Sequence, residues 1–297
     1  MSARPSRTAW LVAAALAGSP VIACAQSVSV VLSLDKPSFF PGEPFAVHVT
    51  VTASSSTSIP ASLDARHGFV QFYVSAPDAT GERLFRPWAL FENPTTRRLM
   101  PGEPRTESSR IFFGADGWTF PSPGRYRVRA TLGERSSEPV AVDIVPPTVP
   151  LECEQSAALL ANREAGMFLL LDGGDHLENG IPELRRIAAS RTRLAGYAAH
   201  SLGTSRAVRF SNLRTGQVRE PNAAEARPLL ERARVLLPPD AWHFRALSVG
   251  RLDAVLRLQG RNDLATQLQQ DFAAQIQRAN LAAAVRDQIL QTAIIRR

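Results

Sequence analysis

The hydrophobic period of this chain changes once, at Pro146-Pro147-Thr148-Val149-Pro150, and that change limits the folds open to it. Before the prolines the pattern has period two. Phe45, Val47, Val49 and Val51 alternate with Ala46, His48 and Thr50, which predicts a strand with one apolar face. Val28–Leu34, Phe69–Val74, Ser109–Phe113, Tyr126–Leu132 and Val140–Val145 read the same way, and Leu84–Met100 holds one or two more strands. Pro and Gly punctuate these runs at Asp35-Lys36-Pro37 and Pro41-Gly42-Glu43-Pro44. Six to eight short strands without an intervening helical stretch predict an antiparallel sandwich over residues 26–145.

After the prolines, a stiff linker at 146–150, the period becomes helical. Glu154–Leu171 predicts one helix, stopped by Asp172-Gly173-Gly174. Further helices are expected from Pro182 to Ser190, from Arg193 to Leu202 and from near Asn222, with a hairpin or long loop over Ala207–Val218. Asp240 is expected to cap a helix that buries Trp242, Ala246, Val249, Leu252 and Leu256. Leu264, Leu268, Phe272 and Ile276 repeat every four residues on the next, and a last helix is expected over Leu281–Ile295. The predicted class is therefore multi-domain, β + α, with a helical-hairpin domain over 151–297.

Two resemblances refine this. Phe120-Pro121-Ser122-Pro123-Gly124-Arg125-Tyr126-Arg127-Val128 resembles the entry to the sixth strand of immunoglobulin-like domains. The resemblance implies that the Tyr126 hydroxyl caps the preceding corner, and that Val128 stands where antibody domains place a bridging cysteine. Ala226, Leu230, Ala233 and Pro238, followed by Gly260 and Ala265, are similar to part of a tetratricopeptide repeat. Asp253 and Phe272 depart from that pattern, and no 34-residue period covers the half, so the expectation is a repeat-like stack with a surface for peptides or proteins.

The first 25 residues read as an export signal. Arg4 and Arg7 precede the apolar run Ala9–Ala17, and Ala23-Cys24-Ala25 suits cleavage before Gln26. Val21-Ile22-Ala23-Cys24 also resembles a bacterial lipoprotein box, which would lipidate Cys24, although the box usually opens with Leu and Pro20 suits simple secretion. The expected location is the periplasm or the exterior, with a lipid anchor at Cys24 as the alternative and membrane contact only in that case. Once Cys24 is removed or lipidated, Cys153 has no partner for an internal disulfide. It is expected either buried in its helix or in an intermolecular bridge.

Charge excludes little. The net charge is +7, and Lys36 is the only lysine. Residues 151–297 carry twenty arginines interleaved with fifteen carboxylates, a field too weak for a nucleic-acid partner. Asp172-Gly173-Gly174-Asp175-His176 is the one compact group of catalytic residue types. It suits a divalent metal or acid–base chemistry, but a capped αα turn explains it better and no spacing supplies a further ligand. His48 is expected on an exposed strand face, His67 in a loop, His200 in a helix and His243 beside buried Trp242, each in a surface or helix-cap role rather than a catalytic one. Phe85, Trp88 and Phe91 form either an aromatic strip for sugars or a protein partner, or part of the β core. No nucleophile elbow, zinc-binding helix, phosphate loop or dinucleotide fingerprint is present. These features together predict an exported, non-catalytic binding or adaptor protein with a protein partner and no cofactor. A metal-assisted hydrolase using Asp172, Asp175 and His176, or a sugar-binding module, are the alternatives.

Overall fold

The computed structural model describes residues 28–92, 95–212 and 215–294. The expected export signal and Cys24 lie outside them. The chain is a β half followed by an α half. Val28–Leu34, Ala46–Ala53 and Arg105–Arg110 form a three-stranded antiparallel sheet in that order, with Leu32 opposite Val49 and His48 opposite Ser108. A second sheet runs Ser38–Phe39, Val140–Ile144, Gly124–Leu132, Val70–Ser75, Arg83–Leu84, with Arg135–Ser136 also on Gly124–Leu132. All its pairings are antiparallel except Ser38–Phe39 on Val140–Ile144. Inward side chains of both sheets, among them Val47, Val49, Val51, Phe72, Val128 and Val142, join one apolar cluster. The Tyr126 hydroxyl donates to the Ser122 carbonyl at 3.1 Å, four residues upstream, and so fixes the corner that enters Gly124–Leu132.

Eight helices follow among the described residues: α1 (Pro150–Ala161), α2 (Arg163–Leu171), α3 (Gly180–Ala188), α4 (Arg193–Ala207), α5 (Ala223–Leu236), α6 (Trp242–Leu258), α7 (Asn262–Arg278) and α8 (Ala283–Ala293). A small hairpin, Phe210–Ser211 with Val218–Arg219, separates α4 from α5. None of these helices is long and apolar enough to cross a membrane.

Two helix expectations need correcting. The single helix over Glu154–Leu171 is two, because Asn162 is extended (φ −111°, ψ 98°) and its side chain accepts from Ala165 N–H to cap α2. Asp240 does not cap α6; Ala241 holds that position without a side-chain bond, and Asp240 Oδ1 is buried without a partner.

The apolar core does not stop at the linker. One cluster runs from Val30 through the sheets into Leu159, Phe168, Tyr197 and Phe244, while α5–α8 build a second around Leu252, Phe272 and Ile289. The contact is close where α2 crosses the strands: a Cβ on Gly166 would sit 2.5 Å from the Phe113 ring, and Trp118 Nε1 donates to the Leu159 carbonyl at 3.0 Å. Polar ties add to it. Ser156 donates to the Pro41 carbonyl, and Tyr197 donates to buried Glu43 at 2.8 Å. Burial and that anion both push the Tyr197 hydroxyl well above its usual range, so it stays protonated and donating.

Candidate functional site: a cleft between strands and helices

The outer face of the Ala46–Ala53 strand is the floor of the site. That face was expected to meet solvent, yet His48 is 0 % exposed. α8 lies along Ala46–Ala53 and Arg105–Arg110, and the start of α6 is tied to Asp35, so the outer face is covered around His48. A polar side chain sealed there must be hydrogen-bonded. His48 is satisfied at both nitrogens: Nε2 lies 2.6 Å from Asp35 Oδ1, and Nδ1 lies 2.9 Å from Ser108 Oγ. Asp35, at the turn after the first strand, also accepts the His243 backbone N–H at 2.9 Å.

A second chain of the same types lies deeper. His200 Nδ1 is 2.8 Å from Ser248 Oγ, and its Nε2 is 3.3 Å from Asp172 Oδ1 but makes no hydrogen bond there. Asp172 is committed elsewhere. It accepts from Arg110 at 2.6 Å and from Ser201 at 3.1 Å. Burial works to raise its carboxyl, but the Arg110 guanidinium, with His200 adding to its effect, outweighs that and holds it far below the usual carboxylate range. His200 also differs from expectation: expected in a surface or helix-cap role, it is fully buried because α6 packs over α4 and brings Ser248 to it.

Between these chains opens a cavity of about 250 Å³. Ser108, Arg110 and Phe113 line it from the strands, Leu170 to Asp172 from the end of α2, and His243 with Leu247 from α6. The fourth wall is the loop carrying Phe85, Trp88 and Phe91. Three backbone bonds pin that loop: Phe85 N–H to the Phe72 carbonyl, Ala115 N–H to the Arg86 carbonyl and Phe91 N–H to the Arg66 carbonyl. Gly114 makes the approach possible, since any Cβ there would collide with the Arg86 carbonyl oxygen and the Phe85 ring. Phe85 is buried, Trp88 is 37 % exposed and Phe91 is 51 % exposed. Arg163 lies over Trp88 with 5.3 Å to the ring centre, and Arg66 lies 5.7 Å over Phe91, so both rings are held by cation–π contact at the rim. Leu90, the residue before Phe91, is exposed as well.

His243 is the unusual wall residue. Its ring is buried and Nδ1 has no hydrogen-bond partner. Burial, reinforced by the nearby Arg110 guanidinium, pushes its pKa well below the ordinary histidine value, so it presents a neutral imidazole. The charges of the wall are already compensated: Arg110 pairs with Asp172, and Arg66 with Asp64 at 3.0 Å. The cleft can therefore take a small, largely apolar group with a few polar atoms. At this volume it lies below the usual range for drug-sized ligands.

The expected residues divide as follows. Phe85, Trp88 and Phe91 converge on one cavity. Asp172, Asp175 and His176 do not converge. Asp172 turns to Arg110, Asp175 pairs with Arg219 at 2.6 Å, and His176 stacks on Phe210 at 6.0 Å between ring centres. Asp172 holds the left-handed backbone (φ 53°) that closes α2, the turn role expected of it. Among the described residues no three His, Cys, Asp or Glu are placed to hold a metal ion. Cys153 is exposed rather than buried, its thiol 3.2 Å from the Pro147 carbonyl. The sequence signalled none of Asp35, His48, Ser108 and Arg110 as a group, because they join only through strand register and a covering helix. The buried run from Ala46 to Val49, too apolar for a half-exposed strand apart from His48, was the available hint.

No protein-family model matches the chain, and neither does any curated protein. Among solved structures, a β-glucosidase from Listeria innocua in complex with glucose is 18% identical, with a TM-score of 0.26 over 42% of this chain and 17% of that one. A β-glucosidase from Erythrobacter marinus is also 18% identical at a TM-score of 0.26, over 40% and 16%. The sporulation control protein Spo0M from Bacillus subtilis is 13% identical at 0.27, over 49% and 54%. The chain spans less than a fifth of the two glucosidases, and likeness at this level carries no argument about fold or activity.

Proposed function

We propose that this is an exported binding or adaptor protein of the cell envelope that receives one apolar group of a protein partner in the cleft between its β and α halves. The observation that carries the reading is the convergence of Phe85, Trp88 and Phe91 with Arg110 and His243 on a single cavity whose rim is apolar and exposed. Buried anchors in a pocket, ringed by aromatics and arginine, are how protein interfaces concentrate their energy. Export rests on the n-region, apolar run and cleavage pattern of residues 1–25, with the lipid anchor at Cys24 as the alternative. We read the β half as an immunoglobulin-like sandwich, supported by the two antiparallel sheets over one core and the Tyr126–Ser122 corner. The helical half was the first expected partner surface and the aromatic strip of the β half the other; the proposed cleft draws on both halves.

The test is photo-crosslinking in intact cells from a benzoyl-phenylalanine placed at Phe91, with the same group at exposed Val235 as the control. A discrete partner captured from position 91 and not from 235, and lost on Trp88→Ala, is the expected result. Capture from 235 alone would contradict the cleft.

A further inference from the structure

Two chains of carboxylate, imidazole and hydroxyl cross this molecule, and they differ in one respect. Asp172–His200–Ser248 is sealed: His200 and Ser248 are buried, and neither lines the cavity. In Asp35–His48–Ser108 the carboxylate and imidazole are buried, whereas Ser108 is partly exposed and forms cavity wall. The tautomer of His48 follows from its partners. A carboxylate can only accept, so Nε2 carries the proton toward Asp35 at 2.6 Å. Nδ1 is then the lone-pair nitrogen, and Ser108 donates its O–H to it at 2.9 Å. A hydroxyl bonded to a base, itself oriented by a buried carboxylate, is recognised by connectivity and not by sequence position.

We propose that Ser108 is a nucleophile toward small carboxylic esters, with His48 as its base and Asp35 orienting that base. The proposal goes beyond binding but rests on the cleft being the place where a ligand enters. Ser108 Oγ forms a bond to the acyl carbon while its proton passes to His48 Nδ1. The bond from that carbon to the alcohol oxygen breaks, and the departing alkoxide takes the proton from Nδ1. Water then gives a proton to Nδ1 and its hydroxide to the acyl carbon, Oγ leaves, and it recovers the proton. The sum is ester plus water to acid plus alcohol, with Asp35 ionised throughout. Two donors line the same cavity for the developing oxyanion. Arg110 follows Ser108 by two residues on one face of the strand, and the neutral imidazole of His243, unpartnered at Nδ1, has its ring centre 6.4 Å from that of His48.

The experiment treats the full purified chain with a fluorophosphonate and reads the intact mass, then maps the adduct by peptide mass spectrometry. One adduct is expected, on Ser108. It should be lost in Ser108→Ala, slowed at least about 100-fold in Asp35→Asn, where the imidazole can adopt the wrong tautomer, and retained in Ser248→Ala. p-Nitrophenyl acetate hydrolysis should fall with the labelling. Near-UV circular dichroism establishes that each variant is folded. A folded wild-type chain that takes no label, or a Ser108→Ala chain labelled as fast as wild type, overturns the nucleophile. Partner capture from position 91 is scored on the unlabelled Ser108→Ala chain, so failure of the chemistry and failure of the binding reading are separable.

Discussion

His48 shows how far a single residue can be read from its neighbours in sequence. Strand alternation set it opposite the valines, and that was right about direction: Val47 and Val49 face the sheets' shared core. Alternation cannot say what covers the other face. The covering comes from α6 and α8, about 200 residues later, so the same pattern describes a solvated histidine and a sealed one. His243 yields a pH prediction with a definite sign. Its folded pKa lies below the ordinary value of 6.5, so the unfolded chain binds the proton more readily. Stability from this group is complete above pH 6.5 and is lost as pH falls from there toward the folded pKa, at up to about 1.4 kcal/mol per pH unit. Urea midpoints measured from pH 7.5 to 5 should fall with pH in the wild type and fall less in His243→Gln. Asp172 acts in the acid range, since its depressed pKa gives stability that fades below about pH 3.8. Asp172→Ala, which strands the partly buried Arg110, should cost about 3 kcal/mol in urea unfolding at neutral pH.

Element identity was more legible than element limits. The paired strands at Val28–Leu34, Ala46–Ala53 and Gly124–Leu132, and helices α6 and α7, follow the apolar periods that predicted them. The break between α1 and α2 was not visible, because Asn162 sits among Leu and Ala residues that continue a helical pattern through it. Only the capped geometry reveals the stop, and Asn162→Ala should cost about 1 kcal/mol of thermal or urea stability through that lost cap. Gly196 tests packing against propensity. It lies inside α4, where alanine is intrinsically better by about 1 kcal/mol. A Cβ there would meet the backbone nitrogen of Leu237 at 2.5 Å, and backbone cannot swing aside as a side chain can. Gly196→Ala is therefore expected to destabilise by about 1–3 kcal/mol, the opposite sign to helix propensity, as read from urea midpoints.

At the scale of the whole molecule, the period change at the prolines marks where the two main sheets end and the helical half begins, but it does not mark an edge of the core. Phe113, Trp118, Leu159, Phe168 and Phe244 lie in one cluster, and Glu43 is shared between Lys36, Tyr197 and Arg193 across the junction. Sequence periodicity reports the local partner of each face, so an interface built from leftover faces of two different periods gives no pattern of its own. That is also why the aromatics Phe85, Trp88 and Phe91 could be named as candidates while the cleft they enter could not. The placement of that cleft astride both halves is the central structural claim, and hydrogen–deuterium exchange on the full chain tests it most directly, with and without the partner captured from position 91. Protection is expected together at residues 84–92 and 108–110 on the strand side and at 170–172 and 243–247 on the helical side. Protection confined to α7 and α8, with both walls of the cleft unchanged, would contradict it.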